Sequence, residues 1–377
     1  MTRVSFTPET LAREMGEEAI RRARATARLA TWNDAPPAHA EVDTVLVRNK
    51  MRLLHYRAQG RVKTRPLLIV YALVNRPYMA DLTPTCSLIN ELRAHGLDVY
   101  LIDWGYPDRA DAGRSLADYV LGDIDACVDQ IRQHHEIDTL DILGICQGGL
   151  LSLCYAALQP AKLRRLVTTI TPVDFQTKGD LLSHLAQRID AHALAQAWGN
   201  IPGEFLNLMF LSQKPLQLGQ QKYADFVCSA DDEGASELFL AMEKWIFDSP
   251  ALAGTAFREF LEACYQENGL VQGSLEIGGR PVRLETLEMP IFNVYARQDH
   301  LVPPAASQAL RGLVPKAAYT ELALDAGHIG LYVSARTRSK LAAAIAEWLE
   351  KKLPPGRRKP TTPEGRGEVM RSSGPGS

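Results

Sequence analysis

Short apolar runs separated by helix-length amphipathic stretches organise the middle of this 377-residue chain. Leu67-Leu68-Ile69-Val70-Tyr71 and Val99-Tyr100-Leu101-Ile102 are continuously apolar, the pattern of parallel strands covered on both faces. Residues 140–143 and 166–170 read as two further strands, and helical spacing over 88–95 and 117–134 fills the gaps. This alternation predicts a mostly parallel central sheet with helices on both faces. Ahead of it, residues 44–47 and 51–56 alternate like an antiparallel hairpin around Asn49. Thr7-Pro8-Glu9 reads as a cap opening a helix to about residue 30.

The alternation stops near Phe175 and resumes near Leu287. Between them lie helical segments at 181–198, 236–247 and 256–266 and a hairpin signal at Gly278-Gly279. Strands are expected again at 290–296 and 318–324, with a closing helix at 337–351. The organisation expected is an N-terminal helical segment over 1–42, an α/β core over 43–174 and 288–353, and an inserted lid over 175–287. Residues 354–377, rich in Pro, Gly, Arg and Ser, are expected to be a disordered tail.

Composition adds exclusions. The apolar content of 46% and charged content of 23% are those of a globular protein with a sizeable core. A formal net charge of −2 argues against nucleic-acid binding through a basic surface. No apolar run approaches the ~20 residues of a membrane-spanning helix. The early acidic residues Glu9, Glu14, Glu17 and Glu18 do not suit a signal peptide. Six scattered cysteines (Cys86, Cys127, Cys146, Cys154, Cys228 and Cys264) without a C-x-x-C pair suggest reduced thiols in the cytoplasm.

The chemistry is concentrated in Gly144-Ile145-Cys146-Gln147-Gly148-Gly149. This is a G-x-S-x-G nucleophile elbow with cysteine in the serine position, set between a strand and a helix. A sulfur at a helix N-terminus gains anion stabilisation from the dipole and the free N–H groups. The α/β-hydrolase fold supplies its triad in the order nucleophile, acid, histidine. After Cys146 the histidines are His184, His192, His300 and His328. The first two fall in the insertion, and His300 reads as a loop residue beside the acid. His328 follows the last strand between Gly327 and Gly330 and is the expected base. Asp299 follows the preceding strand and is the expected acid, with Asp174 and Asp325 as alternatives. The backbone N–H of Gln147 and one from the loop 71–77, with Val74 as the choice, would form an oxyanion hole. Trp104 could wall the pocket or simply pack beneath the lid.

These stretches together resemble the polyhydroxyalkanoate synthases, specifically the short, two-subunit class III type. The resemblance rests on Tyr71–Tyr78, Asp103-Trp104-Gly105, the elbow, Trp245–Pro250, the Asp299 loop and Gly327–Gly330, in that order. It implies a cytoplasmic, granule-associated enzyme that polymerises (R)-3-hydroxyacyl-CoA, with short-chain monomers such as 3-hydroxybutyryl-CoA expected, and releases CoA. Cys146 would carry the acyl group and His328 would activate it. Asp299 would orient the histidine or help deprotonate the incoming 3-hydroxyl. It further implies a homodimer, a second non-catalytic subunit, and no metal or cofactor, the CoA thioester being the substrate. Two other readings stay open: a cysteine-dependent hydrolase such as a thioesterase or dienelactone-hydrolase-like enzyme, and a non-enzymatic relic of the fold.

Overall fold

A computed structural model describes residues 8–31, 41–214, 221–228 and 231–351. Eight strands form one sheet: β1 (Asp43–Arg48), β2 (Met51–Tyr56), β3 (Leu67–Val70), β4 (Val99–Asp103), β5 (Leu140–Ile145), β6 (Leu163–Thr169), β7 (Ile291–Ala296) and β8 (Tyr319–Leu324). Their order in the sheet is β1-β2-β4-β3-β5-β6-β7-β8. β1 and β2 pair antiparallel, as do β2 and β4, and all other pairs are parallel. The chain crosses from β4 back over β3 to β5, and such a reversal leaves a crevice at the carboxyl ends of the strands. Every residue of β3, β5 and β7 is buried, which explains why their sequences are mostly apolar rather than alternating; the buried exceptions Asp141 and Asn293 are bonded to Arg164 and to Ser307 O.

The two faces bury separate apolar layers. One packs α3 (Asp125–His135) and α4 (Gln147–Leu158) through Val128, Ile131, Leu150 and Leu153. The other packs Leu88, Ile89 and Leu92, from a helix at Leu88–Ala94, with Leu341, Ile345 and Trp348 of the helix Ala335–Glu350. Where one long helix is predicted at 117–134, a π-helical turn at Asp118–Ile124 runs into α3. Arg114 and Arg48 both pair with the buried Asp123 within this wider turn.

The long connection between β6 and β7 is largely helical. It begins with Leu181–Ala186 and Ala191–Trp198, two helices where the sequence predicts one. Asp190 ends the continuity: its carboxylate accepts the Ala193 N–H at 2.9 Å and starts a second helix. Then come Gly203–Leu211, Lys222–Cys228, Glu233–Phe247 and Gly254–Phe260. The N-terminal helix Pro8–Thr31 leans on this connection through Ala25, which packs with Phe226 and Leu240. Its proposed cap residue Thr7 and the tail 354–377 lie outside the described residues. Among the described residues no helix is long and apolar enough to cross a membrane.

Candidate active site

Cys146 stands between β5 and α4, at the cap of the helix, with φ 54° and ψ −124°, a backbone region that L-residues rarely occupy. The turn is locked from several sides. The Cys146 N–H donates to Thr169 O at 2.9 Å, and Cys146 O accepts the Gly149 N–H at 2.9 Å. Glycine is required at the start of α4 for space: a Cβ on Gly148 would stand 2.1 Å from Val70 O, and one on Gly149 1.8 Å from Thr171 Oγ1. The elbow sequence therefore permits the helix to begin in contact with β3 and the end of β6. The sulfur side remains open to a cavity of ≈ 740 Å³.

Asp299 and His328 come from the loops after β7 and β8. Backbone bonds past the strand ends zip these loops together: Arg297 N–H to Leu324 O at 2.9 Å and Gln298 N–H to Ala326 O at 3.0 Å. As a result Asp299 Oδ2 lies 2.8 Å from His328 Nδ1. The other carboxylate oxygen accepts the N–H groups of Leu301 and Val302, both at 2.9 Å. Both residues are buried, and both His328 and Cys146 line the cavity. Burial alone lowers the pKa of His328. The charges of Asp299 and of the Cys146 sulfur, with hydrogen bonds to both, outweigh burial and raise it to about 10. With Nδ1 committed to Asp299, Nε2 is the nitrogen left for the sulfur.

The loop after β3 closes another side. Gln147 turns its side chain back, and its Oε1 accepts the Leu73 N–H at 3.0 Å. Val74 and Gln147 both border the cavity with Cys146. Among the described residues no protein acceptor meets the Val74 N–H. The Gln147 N–H, in the first turn of α4, has no intrahelical acceptor.

The helical connection between β6 and β7 supplies much of the cavity wall, including Phe205, Phe210, Met242 and Phe257. Among the described residues, Cys146 is the cysteine that borders this space. Cys154 is buried, and burial pushes its thiol up to about 12.

Such a site combines a nucleophilic sulfur, an imidazole fixed by a carboxylate, backbone donors and an apolar chamber, the groups that acyl transfer calls for. A family model of the alpha/beta hydrolase fold matches residues 65–335. The chain is 46% identical over 354 residues to the poly(3-hydroxyalkanoate) polymerase subunit PhaC of Thiocystis violacea, covering 93% of this chain and 100% of that one. With the protein of the same name from Allochromatium vinosum it shares 51% over 307 residues, covering 81% and 86%. The chain belongs to the PhaC family of poly(3-hydroxyalkanoate) polymerases. It is an acyltransferase on the α/β-hydrolase fold. Among solved structures, a monoacylglycerol lipase from Paleococcus ferrophilus shares that fold, with a TM-score of 0.50 at 16% identity, covering 79% of this chain and 98% of that one.

In this PhaC-family chain the alternative acids stand elsewhere. Asp174 Oδ1 accepts from Asn268 Nδ2 and the Gln176 N–H, and Asp325 is exposed and paired with Arg297 at 3.0 Å. His184 and His192 lie on the two helices that open the insertion and do not line the Cys146 cavity. Trp104 is core packing rather than cavity wall: it is buried, with Nε1–H on Tyr71 O at 3.1 Å. His300 is on the cavity wall, with its Nε2 buried and unpartnered among the described residues. Burial, then the nearby Lys214, lowers its pKa. Tyr71, which opens the 71–77 loop, and Tyr265, which no sequence motif marks, also line the cavity.

Proposed function

We propose that this polymerase builds polyester from short-chain (R)-3-hydroxyacyl-CoA, such as 3-hydroxybutyryl-CoA, through a thioester on Cys146. The observation that carries the reading is the Asp299–His328 pair at 2.8 Å against the Cys146 sulfur, in a cavity walled by apolar side chains. The Cys146 sulfur attacks the substrate carbonyl with its proton already held on His328, which passes that proton to the departing CoA sulfur. The N–H groups of Val74 and Gln147 receive the oxyanion. The 3-hydroxyl of a second acyl-CoA, deprotonated by His328, then attacks the Cys146 thioester. An ester bond forms, the carbon–sulfur bond breaks, and the lengthened acyl-CoA returns its chain to Cys146 with loss of CoA. Among the described residues Cys146 is the one cysteine at the cavity, which suits this one-sulfur cycle.

Asp299 acts as the orienting acid, because its two oxygens are spent on His328 and on the Leu301 and Val302 amides. The activated species is the CoA thioester itself, so the chemistry needs no metal or cofactor. The resemblance to the two-subunit type supports a homodimer, a second non-catalytic subunit, and work in the cytoplasm at the surface of product granules.

The test is incubation with (R)-3-hydroxybutyryl-CoA, with and without a partner subunit, following CoA release and the form of the product. Polymer with matching CoA is expected. Free 3-hydroxybutyrate without polymer in both arms would instead identify a thioesterase.

A further inference from the structure

The loop that carries Val74 is fastened to the carboxyl end of the helix Glu233–Phe247, about 170 residues away in sequence. Trp245 Nε1–H donates to Arg76 O at 2.8 Å. Tyr78 donates its hydroxyl to Asp248 Oδ2 at 3.0 Å, and Tyr106 donates to Asp248 Oδ1 at 2.6 Å. Ser249 Oγ lies 2.6 Å from Asn75 Oδ1 and 2.9 Å from Asn207 Oδ1. The Asn207 amide is oriented by its own donation to Ile246 O. A hydroxyl has one proton and can also accept, so Ser249 can serve both asparagines once Asn75 turns its amide group to donate. Arg76 is spent on the opposite wall: it donates to Gly105 O and Asp103 Oδ2, both at 3.0 Å, and stacks over Tyr106 at 4.2 Å.

Asn75 is the residue on which this network bears most directly. Its φ of 61° lies in the left-handed region, which asparagine tolerates better than most residues but which has to be held by its surroundings. That φ sets the direction of the chain immediately after Val74. Burial, then the Asp248 carboxylate, pushes the Tyr78 hydroxyl well above its ordinary range, so it remains a donor.

We propose that Ser249, with Asp248 and Trp245, is a positioning residue for the oxyanion loop: the foot of the lid helix holds Asn75–Tyr78 so that the Val74 N–H meets the oxyanion formed at Cys146. The lid is in this way part of the acylation machinery as well as a cover. This rests on the reading of Val74 as an oxyanion donor.

The experiment separates the oxyanion from the nucleophile. Acylation of Cys146 by 3-hydroxybutyryl-CoA passes through an oxyanion, whereas alkylation of the same sulfur by iodoacetamide does not. Ser249→Ala is expected to slow single-turnover acylation about 10- to 100-fold, less than outright loss of an oxyanion donor. Its alkylation rate and KM should stay within about twofold of wild type, a split that mere loosening of the fold would not produce. Ser249→Thr should restore most of the rate. Tyr78→Phe, which removes one tether and keeps the ring, should show the same split more weakly and stands in if Ser249→Ala does not fold. Wild-type acylation in both variants, or equal loss of acylation and alkylation, would overturn the inference while leaving the function intact. A wild-type protein that forms no acyl-enzyme overturns both.

Discussion

The φ of 54° and ψ of −124° at Cys146 place its backbone where an L-residue is held at a cost of about 1–3 kcal/mol. That strain is offset by the bond to Thr169 O and by the start of α4, and it lifts the sulfur clear of the sheet toward His328. In the proposed mechanism Asp299 determines whether this histidine is useful. Its charge, together with the Cys146 sulfur, raises His328 to about 10, and its geometry fixes Nδ1. Asp299→Asn is therefore expected to slow the first acylation of Cys146 by about 10²–10⁴-fold, the usual range for losing a correctly placed base. A residue that only activated the incoming hydroxyl would spare that step and slow elongation alone, so rapid-quench acylation tells the roles apart. The same variant has a signature in stability. With a folded value of about 10 against an ordinary 6.5, His328 contributes fully below about pH 6.5, and that contribution is lost as the pH rises toward 10. Denaturant unfolding between about pH 6 and about pH 10 should show this loss in wild type and a smaller one in Asp299→Asn.

At the level of elements, the site depends on how closely α4 starts against β3 and how two loops meet beyond β7 and β8. Gly148→Ala puts a Cβ 2.1 Å from Val70 O, so the start of α4 must move. The expected outcome is a destabilisation of about 2 kcal/mol or more, read by urea unfolding; an unchanged midpoint would mean the elbow is looser than drawn. Much of this scale is legible in the sequence because its causes are local. Gly144, Gly148 and Gly149 announce a sharp turn, and the apolar run of β3 and the mostly apolar β5 and β7 announce buried parallel strands. His328 and Asp299 follow from their places after strands. The insertion is harder to read: Asp190 interrupts what looks like one helix at 181–198, and the π-helical turn before α3 answers to a buried Asp123 that periodicity does not display. Hardest of all is the tie between Ser249 and Asn75, since no local pattern links residues that meet only after the insertion folds back over the elbow.

For the molecule as a whole, the sheet's carboxyl edge and the inserted helices enclose the cavity into which the Cys146 sulfur opens. Its walls at Phe205, Phe210, Met242 and Phe257 are apolar, and in the proposed cycle a thioester held there would meet less water, favouring a hydroxyl of the bound substrate as acceptor. The N-terminal helix leans on the outer side of the same assembly through Ala25 and Phe226, so the enclosure is made by parts of the chain far apart in sequence. The account's central claim is that the chain grows on Cys146, and intact-protein and peptide mass spectrometry after brief exposure to (R)-3-hydroxybutyryl-CoA tests it most directly. The predicted result is hydroxybutyryl mass on the peptide containing Cys146, lengthening with time, and no adduct in Cys146→Ala. An adduct on Cys228 or another thiol, or polymer made by Cys146→Ala, would contradict it.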